Sequence, residues 1–236
     1  MKKEIFLNSA ERCCENGCRL LDEAQLLEFE KTLATRYYLA MIAQEEAAKA
    51  FLLYLVAVEA VPWTSFVRRA TRDHQCKHLI GIILDYISPK IDDILQGKWR
   101  PEFPAKVADA MNLFRHEKLK RWESKNWLWA EDPEYDSDAL MVAEGKRDRD
   151  KQRALYVEIG GNAEVASSPA QITNGQAADE YERGRRFCAC VGGLLEARSG
   201  FAYDIEQVEK CFKALFSEPS VFIEPHITCS RIKSLS

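Results

Sequence analysis

One long helical pattern limits the folds that this chain can adopt. Between residues 30 and 60, apolar side chains recur at steps of three and four, which is the spacing of one face of an α-helix. Pro62 then ends the pattern, because proline has no backbone N–H with which to continue a helix. The apolar face consists of Leu33, Tyr37, Ala40, Met41, Ala47, Phe51, Tyr54, Leu55 and Val58. A long helix with such a face needs other helices beside it, so the pattern predicts a helical bundle.

Three further helices are predicted in the first part of the chain. The first has Asn8 or Ser9 as its N-cap, the residue whose side chain accepts a hydrogen bond from the opening turn. The third spans residues 66–88 and the fourth spans residues 105–129. Helices joined by short turns pack antiparallel, so residues 1–130 are predicted to form a four-helix up-and-down bundle.

The remaining residues, 131–236, change in character and are assigned to a second unit. Residues 154–159 favour a short strand closed by glycines, and residues 177–198 and 204–216 return to a helical pattern. The basic run 146–153 is interpreted as a solvated loop, because aspartates interrupt it; the alternative is that it helps to hold RNA. The prediction is an all-α protein in which a C-terminal extension, made of one short extended segment and two helices, packs on the bundle.

Composition and charge exclude several classes of protein. With 236 residues the chain can bury a full core without disulfides, and its net charge of −4 argues against a surface that is basic throughout. The longest apolar run, residues 51–58, is far shorter than the ~20 residues of a membrane helix, and the N-terminus lacks a secretory pattern. The 8 cysteines show no C-x-x-C spacing, which favours core thiols in a reducing compartment. These features predict a cytoplasmic protein without membrane contact.

An acid–base pair lies in the middle of the long helical pattern. Glu45 and Lys49 are four residues apart with the acid first, which is the favourable orientation on a helix, and their neighbours are strongly apolar. Charged groups in apolar surroundings need partners, because burying a charge alone is costly. The pair is therefore either a structural ion pair or part of a functional site.

A second cluster of candidate residues lies in the third predicted helix. Its members are Arg68, Arg69, Arg72, His74, Lys77 and His78. Converging cations can neutralise a phosphate and stabilise charge that develops on its oxygens, and an imidazole can transfer a proton near neutral pH. The cluster therefore suits a phosphodiester substrate. The simpler alternative is a solvated basic face on an exposed helix.

Metal and nucleotide chemistry are less favoured by the sequence. His74 and His78 have the spacing of two zinc ligands on a helix, but no Glu follows His74 and no third ligand is evident. A metal-dependent hydrolase is therefore the weakest of the hypotheses. The glycine-rich loops that hold nucleotide phosphates are also missing, which disfavours an ATPase or a dinucleotide enzyme. The sequence predicts no metal and no cofactor.

In their order and spacing, these residues resemble the AbiV family of bacterial abortive-infection proteins, which belongs to the HEPN superfamily of helical bundles. The resemblance rests on N-S-A-E-R at residues 8–12, E-E-A-A-K at 45–49, R-D-H at 72–74 with Lys77, and Q-R-A-L-Y-V-E at 152–158. The last segment looks like the family's basic lead-in to a Tyr-Val-acid strand. The resemblance implies a HEPN-like bundle.

HEPN ribonucleases are identified by an R-x(4–6)-H motif that is assisted by E-x-x-x-K-R. Glu45 and Lys49 fit the second motif, although Ala50 stands where an arginine is usual. The first motif fits in three registers, which are Arg69 to His74, Arg68 to His74 and Arg72 to His78. His74 is the histidine that matches the AbiV pattern, and the arginine register stays open.

The resemblance implies an anti-phage effector that cleaves RNA without a metal, or an RNA-targeting toxin that halts translation. In such a mechanism an imidazole transfers protons, an arginine stabilises the phosphorane, and the Glu–Lys pair orients both. The implied catalytic residues are Arg69, Arg72, His74, His78, Glu45 and Lys49, and the implied RNA-binding residues are Arg68 and Lys77. A homodimer is also implied. The alternative is a non-catalytic helical module that binds RNA, the ribosome or a phage protein.

Overall fold

The computed structural model describes residues 2–30, 32–98, 104–114, 135–197 and 205–217. The helices in these ranges are α1 (Lys2–Leu26), α2 (Leu33–Ala57), α3 (Ser65–Ala70), α4 (His74–Ile87), α5 (Ile91–Leu95), α6 (Ala105–Asn112), α7 (Ser137–Ala143), α8 (Lys146–Arg153), α9 (Asn174–Glu196) and α10 (Ile205–Ser217). Two strands, β1 (Glu158–Ile159) and β2 (Val165–Ser167), form one antiparallel hairpin. The predicted all-α class is confirmed.

Helix α2 is the centre of the bundle and is buried on almost every side. Helices α1 and α9 pack along it, and α4 contacts both α2 and α9. Two glycines permit the close packing: a Cβ on Gly17 of α1 would lie 3.3 Å from the carbonyl oxygen of Ala43, and one on Gly184 of α9 would lie 3.3 Å from that of Ala40. The small alanines of α2 therefore face glycines, which brings the helix axes close together.

Helix α9 falls in the residues that the sequence assigns to the C-terminal extension, yet it packs against α1 and α2. The predicted helices at 177–198 and 204–216 correspond to α9 and α10. Of the strand predicted at 154–159, only β1 forms. The division into residues 1–130 and 131–236 remains a prediction.

The prediction of one continuous helix over residues 66–88 is wrong, because two helices, α3 and α4, occupy this range. Helix α3 ends at Ala70, and Asp73 begins α4 as its N-cap by accepting a hydrogen bond from the backbone N–H of Cys76 at 2.9 Å. The side-chain carboxylate satisfies one of the free N–H groups at the helix start, so a new helix begins there. The break turns the chain between Arg69 and His74, which shapes the site described below.

Two other helix predictions are corrected or only partly covered. Helix α1 begins at Lys2, so the predicted N-cap at Asn8 or Ser9 is wrong; the Ser9 hydroxyl instead donates to the carbonyl of Ile5 inside the helix. The helix predicted at 105–129 begins as α6, and its residues 115–129 lie outside the described part of the chain.

The described cysteines are free thiols, and Cys14, Cys188 and Cys190 are buried. Burial raises the pKa of Cys14 and of Cys190 to about 12, which keeps both thiols protonated and unreactive. Their packing fits the prediction of core thiols. Over the ranges that the structure describes, no helix is both long and apolar enough to cross a membrane.

Candidate functional site

The site is built around the carboxylate of Glu45, which lies in the middle of α2 with a side chain only 2% exposed. Three groups from other parts of the chain meet it. Lys77 Nζ donates to Oε2 at 2.6 Å, Lys151 Nζ donates to Oε1 at 2.6 Å, and His74 Nδ1 lies 2.6 Å from Oε2. The structure therefore brings together Glu45 of α2 and His74 of α4.

Glu45 stays ionised in these surroundings. Burial alone would raise its pKa, but attraction to Lys77 and hydrogen bonds from Lys151 and Lys77 lower it to about 2. Lys151 also remains charged: burial opposes its charge, but its hydrogen bonds to Glu45 and Asp148 raise its pKa above the ordinary value. The centre of the site is thus an ionised carboxylate between two ammonium groups.

The contact with Glu45 fixes how the His74 imidazole is protonated. An ionised carboxylate has no proton to donate, so a 2.6 Å contact requires that His74 Nδ1 carries the proton and donates it. Lys151 Nζ lies 3.0 Å from the same Nδ1 and cannot be its hydrogen-bond donor while Nδ1 holds that proton. The other ring nitrogen, Nε2, then carries no proton in the neutral ring and is able to accept one.

His74 and the arginines of the predicted cluster line one open cavity of ≈ 590 Å³. Besides His74, the cavity is lined by Ser65, Arg68, Arg69, Arg72, Asp73, Gln75 and Asp148. Two N-caps build this shape: Thr64 accepts from the N–H of Val67 to begin α3, and Asp73 begins α4. Since α4 starts at His74, its imidazole is 47% exposed at the cavity while Glu45 lies behind it.

Other predicted site residues lie away from the cavity. Lys49 donates to Glu46 at 2.7 Å and makes no described contact with Glu45. Lys77 is buried against Glu45, so it supports the site from within, and the expected direct contact with RNA does not fit this position. His78 is also buried, with Nε2 3.4 Å from Glu45 Oε1. In the register Arg72 to His78, the arginine reaches the cavity but the imidazole does not.

The sequence interpretation missed Lys151 and Asp148, because the run 146–153 was assigned to a solvated loop. This segment is helix α8, and Lys151 in it is buried on Glu45 and 2.9 Å from Asp148 Oδ1. The available signal was the resemblance at residues 152–158, which begins directly after Lys151.

A second polar layer fixes α8 in place beside the site. Arg147 donates to both carboxylate oxygens of Glu180 at 2.6 Å and to Gln44 Oε1 at 3.0 Å. Gln44 also donates to Glu180, and Arg183 of α9 donates to Gln44 at 3.1 Å. Arg147 and Lys151 are four residues apart on one face of α8, so this layer directs Lys151 towards Glu45.

One group of possible metal ligands exists among the described residues. Oxygen and nitrogen atoms of Glu45, His78 and Asp148 lie within 4.8 Å of one another. However, Lys77 and Lys151 already bind the two oxygens of Glu45, and Lys151 also binds Asp148. A divalent cation would have to displace buried ammonium groups, so the arrangement suits an ion-pair network better than a metal centre.

The buried His78 predicts a specific loss of stability in mild acid. Burial lowers its pKa from 6.5 to about 3, although Glu45 beside it opposes this shift. Above pH 6.5 His78 is neutral in both the folded and the unfolded chain. Between pH 6.5 and 3 only the unfolded chain takes up the proton, so folding stability falls as pH falls, by about 1.4 kcal/mol per unit.

Urea unfolding at pH 7.5 and pH 5 measures this effect. The free energy of unfolding is expected to fall by about 2 kcal/mol more in the wild type than in His78→Gln, which has no titrating ring. Glu45, whose pKa is lowered to about 2, also reduces the folding stability as pH falls, but only between pH 4.5 and 2. That range lies below the two pH values compared here. Equal pH dependence in the two proteins would contradict the assignment of a neutral, buried His78.

In this helical bundle Glu45 of α2 meets His74 of α4 beside a cavity lined by arginines of α3 and of the turn that follows it, which is an arrangement of the HEPN type. The sequence model of the AbiV family matches residues 6–189, well over half of the chain. The chain belongs to the AbiV family of HEPN-domain abortive-infection proteins. Neither the curated proteins nor the solved structures include a match to it.

Proposed function

We propose that this abortive-infection protein is a metal-independent endoribonuclease of the cytoplasm that halts translation by cleaving RNA. The observation that carries the proposal is the pairing of His74 with the buried carboxylate of Glu45 at the wall of an arginine-lined cavity. A carboxylate that holds the Nδ1–H of a histidine sets the ring tautomer and leaves Nε2 for acid–base chemistry. The cavity volume falls in the range of small-molecule sites, which is sufficient for a nucleotide.

In the proposed reaction, His74 Nε2 removes the proton from a ribose 2′-hydroxyl. The 2′-oxygen attacks the adjacent phosphorus, the bond from phosphorus to the 5′-oxygen breaks, and the leaving 5′-oxygen takes up a proton from an imidazolium. The products are a 2′,3′-cyclic phosphate and a 5′-hydroxyl. Arg69 and Arg72 stabilise the extra negative charge on the phosphoryl oxygens, and Arg68 contributes to RNA binding.

A homodimer would suit this chemistry. The chain carries a net charge of −4, whereas three arginines face the cavity. Two copies with their cavities side by side would concentrate positive charge where a polyanion must bind, and a second His74, in its imidazolium form, would supply the proton for the leaving oxygen.

A non-catalytic RNA- or protein-binding function is the second candidate, and two observations favour it. Lys49 pairs with Glu46 and not with the site, and Ala50 stands where HEPN ribonucleases usually have an arginine. In this case the cavity would hold a phosphate without cleaving RNA. Cleavage products distinguish the two functions.

The assay uses purified full-length protein, labelled RNA and a chelator of divalent metals. We expect fragments that end in 2′,3′-cyclic phosphate, at a rate that the chelator leaves unchanged. Removing a donor that stabilises the transition state costs about 10²- to 10³-fold in kcat. At least one of Arg69→Ala and Arg72→Ala should show a loss of this size, and that variant identifies the working register.

The matched control is Arg12→Ala, which removes an exposed arginine from α1 that pairs with Glu15. Its kcat should equal that of the wild type. Binding of RNA without fragments would support the binding function. Cleavage that a chelator abolishes would contradict the metal-independent mechanism.

A further inference from the structure

Lys151 belongs to neither HEPN motif, yet its ammonium contacts both Glu45 and His74. Its ammonium lies 2.6 Å from Glu45 Oε1 and 3.0 Å from His74 Nδ1. Its side chain is only 6% exposed, so its interactions are with the protein interior. Charge-assisted hydrogen bonds in such surroundings are strong and fix the geometry of their partners.

Two anchors hold this ammonium in position. Asp148, one turn earlier in α8, contacts it at 2.9 Å. Arg147, on the same face, attaches α8 to Glu180 of α9 and to Gln44 of α2. Gln44 and Glu45 are consecutive in α2. The contact of Arg147 with Gln44 therefore places Lys151 next to Glu45.

The geometry implies two effects on the histidine. With Lys151 on Oε1, the carboxylate of Glu45 cannot rotate freely, so Oε2 stays directed at His74 Nδ1. The ammonium also places a positive charge next to the imidazole, which opposes the doubly protonated ring that Glu45 by itself would favour. A general base must be unprotonated to accept a proton, so this balance matters for the reaction.

We infer that Lys151 is a positioning residue for His74, which holds the Glu45 carboxylate against the imidazole and offsets its negative charge. The inference deepens the ribonuclease function proposed above and rests on it. It adds to the HEPN motifs a residue from α8, which follows His74 by more than seventy positions in the chain.

Several charged groups surround His74, and the test must change only one of them. They are Glu45 of α2, Arg68 and Arg69 of α3, Arg72 and Asp73 of the turn, Lys77 and His78 of α4, and Asp148 and Lys151 of α8. Lys151→Met removes the ammonium and keeps a long side chain in the buried position. Lys146→Met makes the same replacement at an exposed position of α8 and is the matched control.

The first measurement follows the His74 ring by NMR during a pH titration of the full-length protein without RNA. In Lys151→Met the midpoint of the His74 ring titration is expected to lie at higher pH than in the wild type, because a nearby cation is lost. In Lys151→Arg and Lys146→Met it should remain at the wild-type value. An unchanged midpoint in folded Lys151→Met would overturn the inference.

The second measurement is the pH profile of RNA cleavage. Lys151→Met should lower kcat about 10-fold or more near neutral pH and move its acid limb to higher pH, with KM little changed. Lys151→Arg should restore most of the rate. A lower kcat without movement of the acid limb would indicate a merely structural role and would count against the inference.

These measurements separate the inference from the proposed function. If the wild type cleaves no RNA, the ribonuclease proposal fails, while the NMR titration still reports whether Lys151 acts on His74. If cleavage depends on His74 but not on Lys151, only the positioning role is wrong. Should Lys151→Met fail to fold, Lys151→Gln keeps a donor for Glu45 without the charge, and the same rise in midpoint is expected.

Discussion

His74→Ala is expected to lower kcat for RNA cleavage by about 10²- to 10⁴-fold, the usual contribution of a positioned acid–base group. The substitution removes the imidazole that lines the cavity and leaves in place the arginines that are proposed to bind phosphate. Because the side chain is half exposed at the first position of α4, the fold should survive. RNA affinity, measured by fluorescence anisotropy, should therefore change far less than the cleavage rate.

A matched control for this prediction is Arg185→Ala, which removes an exposed charged side chain from α9 that pairs with Glu182. It should cleave RNA at the wild-type rate. If His74→Ala still produced fragments with cyclic phosphate ends at the wild-type rate, the Glu45–His74 pair would have no catalytic role. If it lost RNA binding in parallel with cleavage, His74 would be a binding residue.

Much of the fold follows from local sequence patterns. The long apolar face and Pro62 locate α2, and Thr64, a residue type that commonly caps helices, begins α3 by accepting a hydrogen bond from the N–H of Val67. The break between α3 and α4 was harder to predict, because Asp73 is a capping residue within an otherwise continuous helical pattern. Whether a capping residue actually interrupts a helix depends on tertiary packing, which the local sequence does not show.

The candidate site could be predicted only in part. The resemblance implied that Glu45 and Lys49 orient the histidine; Glu45 contacts His74, whereas Lys49 pairs with Glu46. Lys151 could not be found this way, because α8 is strongly polar and shows no apolar face that would predict its docking. Its position depends on the Arg147–Glu180 pair, a contact between residues 33 apart that no local pattern encodes.

Glu45→Ala is expected to lower the free energy of unfolding by about 3–5 kcal/mol, which is the typical cost of removing one partner from a buried ion pair. Lys77 and Lys151 would then be left as buried ammonium groups without the carboxylate that binds both. For a chain of this size the melting temperature should fall by roughly 2–4 °C for each kcal/mol. Urea unfolding and calorimetry measure the two quantities.

Neighbouring residues of α2 provide the control for this prediction. Glu46→Ala breaks the pair with Lys49, whose groups are partly exposed, and should cost only about 0–1 kcal/mol. If the loss in Glu45→Ala comes from uncompensated charge, the triple variant Glu45→Met, Lys77→Met, Lys151→Met should recover most of the stability, because apolar groups of similar size can replace a buried ion network. The same variant should cleave RNA much more slowly than the wild type, since His74 has lost its partner. Equal stability of Glu45→Ala and Glu46→Ala would contradict the view that α2, α4 and α8 meet at one buried carboxylate.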